Sequence, residues 1–189
     1  MAFYIGLDWD ADASRHISRL LQRDEEGSLV AKARQLTGTS ETRGMMLVGE
    51  PGSGKSHLMD RTLTKVGQVL EDTANTRPLI ACPVPSPATF KSMVLALLEV
   101  SGFEGANLRR EAWSLWQMFR HRLSMLGTAV VWIAEAQDLF CADRKLILRA
   151  LKSLMQGDNA VAVVLSGTEE LAEVIRTDPQ VKRRLSFQS

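Results

Sequence analysis

The chain has 189 residues, carries 23 Lys+Arg against 22 Asp+Glu for a formal net charge of +1, and is 45% hydrophobic. These values exclude intrinsic disorder and a miniature, staple-dependent scaffold, because a chain of this length buries roughly 70% of the surface its unfolded form exposes. Near-neutral charge excludes a globally basic nucleic-acid binder, though not a local basic stripe, and the apolar runs at 128–134 and 160–165 fall far short of the ~20 residues of a membrane span.

The first ten residues, MAFYIGLDWD, are acidic and lack a cleavable signal pattern, so a cytoplasmic protein without a membrane partner is expected. Cys82 and Cys141 stand far apart with no CxxC and no neighbouring His, which suggests two small buried hydrophobes rather than a disulfide or zinc site. In the first forty-odd residues Ile17, Leu20 and Leu21, then Leu29, Val30, Ala33 and Leu36, recur at spacings of three and four. That spacing predicts helices packed onto the domain.

A break at 38–44 precedes the apolar run Met45–Val48, short enough for a strand buried on both faces. After a glycine-rich turn, Leu58, Met59, Leu63, Val66 and Leu70 predict a helix from Lys55 to about Leu70. A second strand follows at Leu79–Cys82. Pro83, Pro85 and Pro87 make a stiff loop whose last member can open a helix over Ala88–Val100. A second helix, Asn107–Leu126, carries Trp113, Trp116, Phe119, Leu123 and Leu126 along one stripe, which assigns both tryptophans to the core.

Strand three is expected at Ala129–Ile133, a helix at Ala142–Met155, strand four at Val161–Leu165 and a short helix at Glu169–Arg176. Strands of buried type alternating with helices imply an α/β fold, a parallel sheet with helices on both faces.

The stretch Gly49, Glu50, Pro51, Gly52, Ser53, Gly54, Lys55, Ser56 matches G-x-x-x-x-G-K-[ST] in full, between a predicted strand and a predicted helix. Glycines let such a loop curl so that successive amides face a phosphate, and the helix behind it adds its positive end. Lys55 would reach the β- and γ-phosphates of ATP, the Ser56 hydroxyl would ligate Mg²⁺, and His57 closes the nucleotide-binding stretch. The competing possibility is an ordinary glycine-rich surface turn.

A nucleotide machine also needs carboxylates at the end of a neighbouring strand. Val130–Ala134 followed by Glu135 supplies one, in the place of a base that activates water. The usual Asp before it is replaced by Ala134, so binding should survive better than turnover. Glu135 as a plain solvated residue at a strand end is the alternative. Ser166 and Thr168, after strand four, could sense the γ-phosphate or the water; Thr168 followed by Glu169 and Glu170 also makes a helix N-cap. Arg183 or Arg184 could act as a finger toward a neighbouring subunit's nucleotide, or belong to an ordinary basic turn.

With these residues in place the sequence resembles an AAA+ ATPase, and within that group the TniB/TnsC-like DNA transposition regulators. The resemblance rests on GEPGSGKS, Ile-Ala-Glu-Ala-Gln, Leu-Ser-Gly-Thr and Gln-Val-Lys-Arg-Arg-Leu, and covers about Arg43 to Phe187. It implies an AAA+ type P-loop NTPase domain over 43–189 with an N-terminal helical segment over 1–42. It further implies ATP-dependent assembly of a homo-oligomeric ring or filament on double-stranded DNA, with recruitment of a transposase or target-selection protein.

The resemblance makes Thr89, Lys91, Arg109 and Arg110 the DNA-facing candidates, through backbone phosphate contacts; an exposed helix residue is the alternative for Lys91. The sequence stops at Ser189 with a stub of a fifth strand, so the family's C-terminal lid is expected to be absent. Two alternatives stand beside this: a nucleotide-dependent switch or scaffold that hardly hydrolyses, marked by Ala134, and a small P-loop kinase, which the Glu-Ala-Gln after strand three speaks against.

Overall fold

The computed structural model describes residues 7–70, 75–140 and 143–188. The chain starts with α1 (Leu7–Leu20), and the second half of the N-terminal segment corrects the sequence expectation. Leu29–Leu36 is not helical: β1 (Leu21–Arg23) and β2 (Leu29–Ala33) pair as an antiparallel hairpin. The turn between them decides it. Asp24 Oδ1 accepts the amides of Glu26 and Ser28 at 3.0 and 2.8 Å, and Gly27 takes φ +88°, a left-handed conformation that closes the turn. Apolar residues three and four apart fit a helix, but this local turn chemistry outweighs them.

The main sheet has five parallel strands, β3 (Gly44–Val48), β4 (Leu79–Pro83), β5 (Val130–Ala134), β6 (Ala162–Gly167) and β7 (Leu185–Gln188), in the order β4-β5-β6-β3-β7. Every residue of β5 and β6 is buried, as continuous apolar runs demand when helices cover both faces. The fifth strand, of which the sequence promised a stub, pairs with β3 from Leu185 to Gln188. The α/β expectation for the chain therefore holds.

The helices are α2 (Lys55–Val69), α3 (Phe90–Val100), α4 (Ala112–Met125), α5 (Arg144–Leu154), α6 (Glu169–Arg176) and α7 (Pro179–Lys182). One core lies between α1, α2 and the sheet, where Ile17, Met45, Met59, Leu63, Val66 and Trp132 meet. The larger core on the other face gathers Phe90, Leu97, Trp116, Phe119, Ile133, Leu151 and Val163. Trp116 is fully buried and Trp113 packs on this core, as the stripe predicted. Phe90, Trp116 and Phe119 stack at centroid distances of 5.7–5.8 Å, a geometry that adds about 1 kcal/mol per pair beyond area burial.

Helices α3, α4 and α5 begin later than expected, the last at Arg144 after Asp143 at its cap position. The amide of Arg109 is taken by Asn107 Oδ1 at 2.9 Å, so 107–110 forms a turn and α4 starts at Ala112. Thr89 caps α3, accepting the Ser92 amide at 3.0 Å, which moves the start from Ala88 to Phe90. Cys82 is buried, and burial, helped by the charge of Glu99, pushes its thiol up to about 11; Cys141 lies outside the described residues.

Asp178 caps α7, its Oδ1 accepting the amides of Gln180 and Val181 at 3.0 and 3.1 Å while Oδ2 meets Lys152 Nζ at 3.2 Å. Desolvation opposes ionisation of Asp178, but donation from Val181 and Lys152 outweighs it and holds the carboxyl below its usual value. A depressed folded pKa stabilises above the unfolded value near ~3.9 and is lost as pH falls through the lower folded one. Asp178→Ala is expected to reduce stability by about 1–2 kcal/mol at pH ~7, with the gap to the parent closing below pH ~4. Denaturant titrations at neutral and acid pH check this.

Candidate functional site

The phosphate loop occupies the C-terminal end of β3, where the strand ends at Val48 and α2 begins at Lys55. The amide of Gly49 donates to the Gly167 carbonyl at 3.1 Å, tying the start of the loop to the end of β6. Gly52 and Gly54 take φ +77° and +86°. A side chain at either would be strained whatever the space around it, which is the physical reason for glycine there. Gly54 stands immediately before α2, so the first amides of that helix are left for a ligand rather than for a capping side chain.

Lys55 is only 8% exposed, and its ammonium folds back over the loop. Nζ donates to the carbonyls of Gly49 and Glu50 at 2.9 and 2.7 Å and approaches Ser53 Oγ at 3.4 Å. Among the described residues no carboxylate neutralises it, so the charge is held beside the amides by neutral oxygens that a phosphate can replace. Glu50, Pro51, Gly52, Ser53, Ser56 and His57 are exposed, with Ser56 one residue inside α2 beside Lys55.

Three strand ends meet beside this loop. Glu135, immediately after β5, has φ +53°, the one non-glycine residue with positive φ among those described. Strain of this kind costs of order 1–3 kcal/mol and collects at functional sites. Gln137, in the short 3₁₀ turn Ala136–Phe140, fixes the exposed Glu135 side chain: its Nε2 donates to Glu135 Oε2 at 2.9 Å. The other end of the same amide, Oε1, accepts the Thr168 amide at 3.3 Å. A Cβ at position 167 would lie 2.4 Å from this oxygen, so glycine there makes room for the bridge. Gln137 thus links the ends of β5 and β6, a role that spacing along the chain gave no hint of.

Ala134 is buried at the end of β5, and no group of three or more metal-binding side chains occurs among the described residues. Ser166 is turned into the core, its Oγ accepting from Trp132 Nε1 at 2.9 Å, whereas Thr168 stays at the strand end. Thr168 stands at the N-cap position of α6, yet its hydroxyl makes no cap hydrogen bond and is buried without a partner. A buried orphan hydroxyl beside a phosphate loop is the kind of group that a ligand satisfies.

The remaining candidates lie apart from this cluster. Arg183 and Arg184 both bind Glu41 near the start of β3, at the end of the sheet opposite the loop. Arg184 is 4% exposed and committed there, and a neighbouring subunit can reach only Arg183, which is 61% exposed. Thr89 spends its hydroxyl on the α3 cap. Lys91 is half-buried on α3, and Arg109 and Arg110 are exposed in the turn before α4, so these candidates form no single site with the loop.

Residues 25–189 match the family described as bacterial TniB protein. The chain belongs to the TniB family. No curated protein matches it in sequence. In three dimensions the TniB chain is similar to the Aeropyrum pernix ORC2 protein in its ADP form, with a TM-score of 0.68, 15% identity, and coverage of 100% of this chain and 50% of that one. The same protein with ADPNP and ADP gives 0.65, 14%, 98% and 47%. The Aeropyrum pernix ORC1 protein in complex with DNA gives 0.55, 17%, 94% and 44%. The chain spans about half the length of these solved structures. Together the family match, the strand order and the loop establish an ATP-binding AAA+ P-loop domain of the TniB type. Among the described residues no helix is long and apolar enough to cross a membrane.

Proposed function

We propose that this TniB-family chain is an ATP- and Mg²⁺-dependent regulator of DNA transposition that assembles as a homo-oligomer on double-stranded DNA and recruits a transposase or target-selection protein. The observation that carries the proposal is a TniB match over residues 25–189 that contains an intact, correctly placed phosphate loop.

The loop fits a polyphosphate. Its amides and the α2 N-terminus are left without capping side chains, and Lys55 can move from the Gly49 and Glu50 carbonyls to a phosphate oxygen without losing a charge partner. Ser56 would hold the magnesium ion together with the phosphates, and when bound the metal would neutralise phosphate charge. Glu135, whose carboxylate Gln137 holds, would accept a proton from water, and the unpartnered Thr168 hydroxyl would donate to the γ-phosphate. Lys91, Arg109 and Arg110 remain the DNA-facing candidates, and Arg183 a contact to a neighbouring subunit.

One observation favours a second reading, a nucleotide-dependent switch with slow turnover: Ala134 brings no carboxylate to the end of β5. If Ala134 is what limits the reaction, Ala134→Asp should raise steady-state phosphate release at least tenfold, and adding Glu135→Gln should remove the gain. An unchanged rate in Ala134→Asp would put the limit elsewhere. Assembly is tested by mass measurements with a non-hydrolysable ATP analogue, with and without duplex DNA. A large DNA-dependent increase is expected, and a monomer under all conditions would contradict the proposal.

A further inference from the structure

A cavity of about 580 Å³ opens far from the phosphate loop, between the end of α1 (His16, Arg19, Leu20), the stretch after β2 (Arg34 to Thr37) and the start of β3 (Arg43, Met45). Five strand residues separate Arg43 from Gly49, which places the cavity roughly 17 Å or more from the loop. Arg19, Arg34 and Arg43 come from three separate stretches of the chain, are all exposed, and have no acidic partner among the described residues.

Three acids of the first 45 residues are engaged elsewhere. Glu41 is bound by Arg183 and Arg184, Asp12 by Arg15, and Asp24 by the hairpin turn. Leu20 and Met45 supply apolar lining, and Gln35 Nε2 donates to the Gly157 carbonyl at 3.1 Å, fixing the segment that carries Arg34. In a chain of net charge +1, three guanidiniums around one cavity with no acidic partner among the described residues repel each other, and an anion of several charges relieves that repulsion. The guanidinium fork matches phosphate oxygens in pairs.

We infer that this cavity is a second anion site, separate from the nucleotide loop, for a ligand carrying at least two phosphate groups in series. Two sources share that chemistry, the backbone of a nucleic acid and a free polyphosphate. The site stands on its own residues and does not depend on the proposed function.

The test titrates inorganic tripolyphosphate, and separately a DNA duplex of about 20 base pairs, into the full chain carrying Lys55→Ala, so that the nucleotide loop contributes little. The titrations are repeated with Arg34→Glu or Arg43→Glu added. Both arginines are exposed, so the charge reversals should leave the fold intact, as thermal unfolding verifies. Each reversal is expected to weaken binding by roughly tenfold or more. A loss for the duplex identifies DNA backbone as a source, and a loss for tripolyphosphate alone identifies a free polyphosphate. No binding of either titrant, or binding that both reversals leave unchanged, overturns the inference.

Discussion

Replacing Lys55 by alanine is expected to weaken binding of a non-hydrolysable ATP analogue by roughly a hundredfold or more, measured by calorimetry. The ammonium is 8% exposed, held beside the loop amides by the carbonyls of Gly49 and Glu50. Its removal leaves the loop with dipoles alone against a highly charged triphosphate. The freed carbonyls belong to a loop whose residues 50–53 are exposed, so water can satisfy them and thermal stability should change little. Loss of binding with an unchanged melting temperature separates a ligand contact from a structural one. Unchanged affinity would mean that the ammonium never meets the nucleotide.

The largest effect on stability is expected at Glu41. Its carboxylate is 13% exposed and meets two guanidiniums, of which Arg184 is 4% exposed and also donates to the Lys152 carbonyl at 3.2 Å. Glu41→Ala strands the Arg184 charge inside the protein, and breaking a buried pair on one side costs about 3–5 kcal/mol. For a domain of this size that corresponds to a fall of roughly 6–20 °C in Tm. Arg183→Ala removes only the exposed partner and should cost less than ~1 kcal/mol. Equal effects of the two substitutions would show that Arg184 is not stranded in the way its burial implies.

The contrast between these two sites explains what the sequence could tell. The phosphate loop is a contiguous run whose chemistry follows from residue type and local turn geometry, so eight consecutive residues reveal it. The sheet was legible for a similar reason, since strands buried on both faces show as unbroken apolar runs. The Glu41–Arg184 pair joins positions 143 residues apart, and nothing local distinguishes Arg184 from an exposed arginine in a basic turn. Gln137 was visible as a letter but not as a bridge, because its two partners, Glu135 and Thr168, meet only when β5 and β6 lie side by side.

The N-terminal hairpin departs from its sequence pattern on a different ground. Leu29, Val30, Ala33 and Leu36 satisfy a helical period, and the decisive signal was Asp24 with Gly27, a turn that closes on itself. At position 168 the sequence left a helix cap and a phosphate sensor side by side. The structure gives Thr168 the cap position without a cap hydrogen bond, which leaves its hydroxyl free for the second role.

Main-chain amides at the start of α2 should grip the phosphates of a nucleotide. Amide NMR of the isotopically labelled chain, titrated with a non-hydrolysable ATP analogue and Mg²⁺, reads this contact residue by residue. The largest saturable shifts are expected on Gly52, Gly54, Lys55 and Ser56. Saturable binding that leaves those four amides unmoved, or no binding at all, would contradict it.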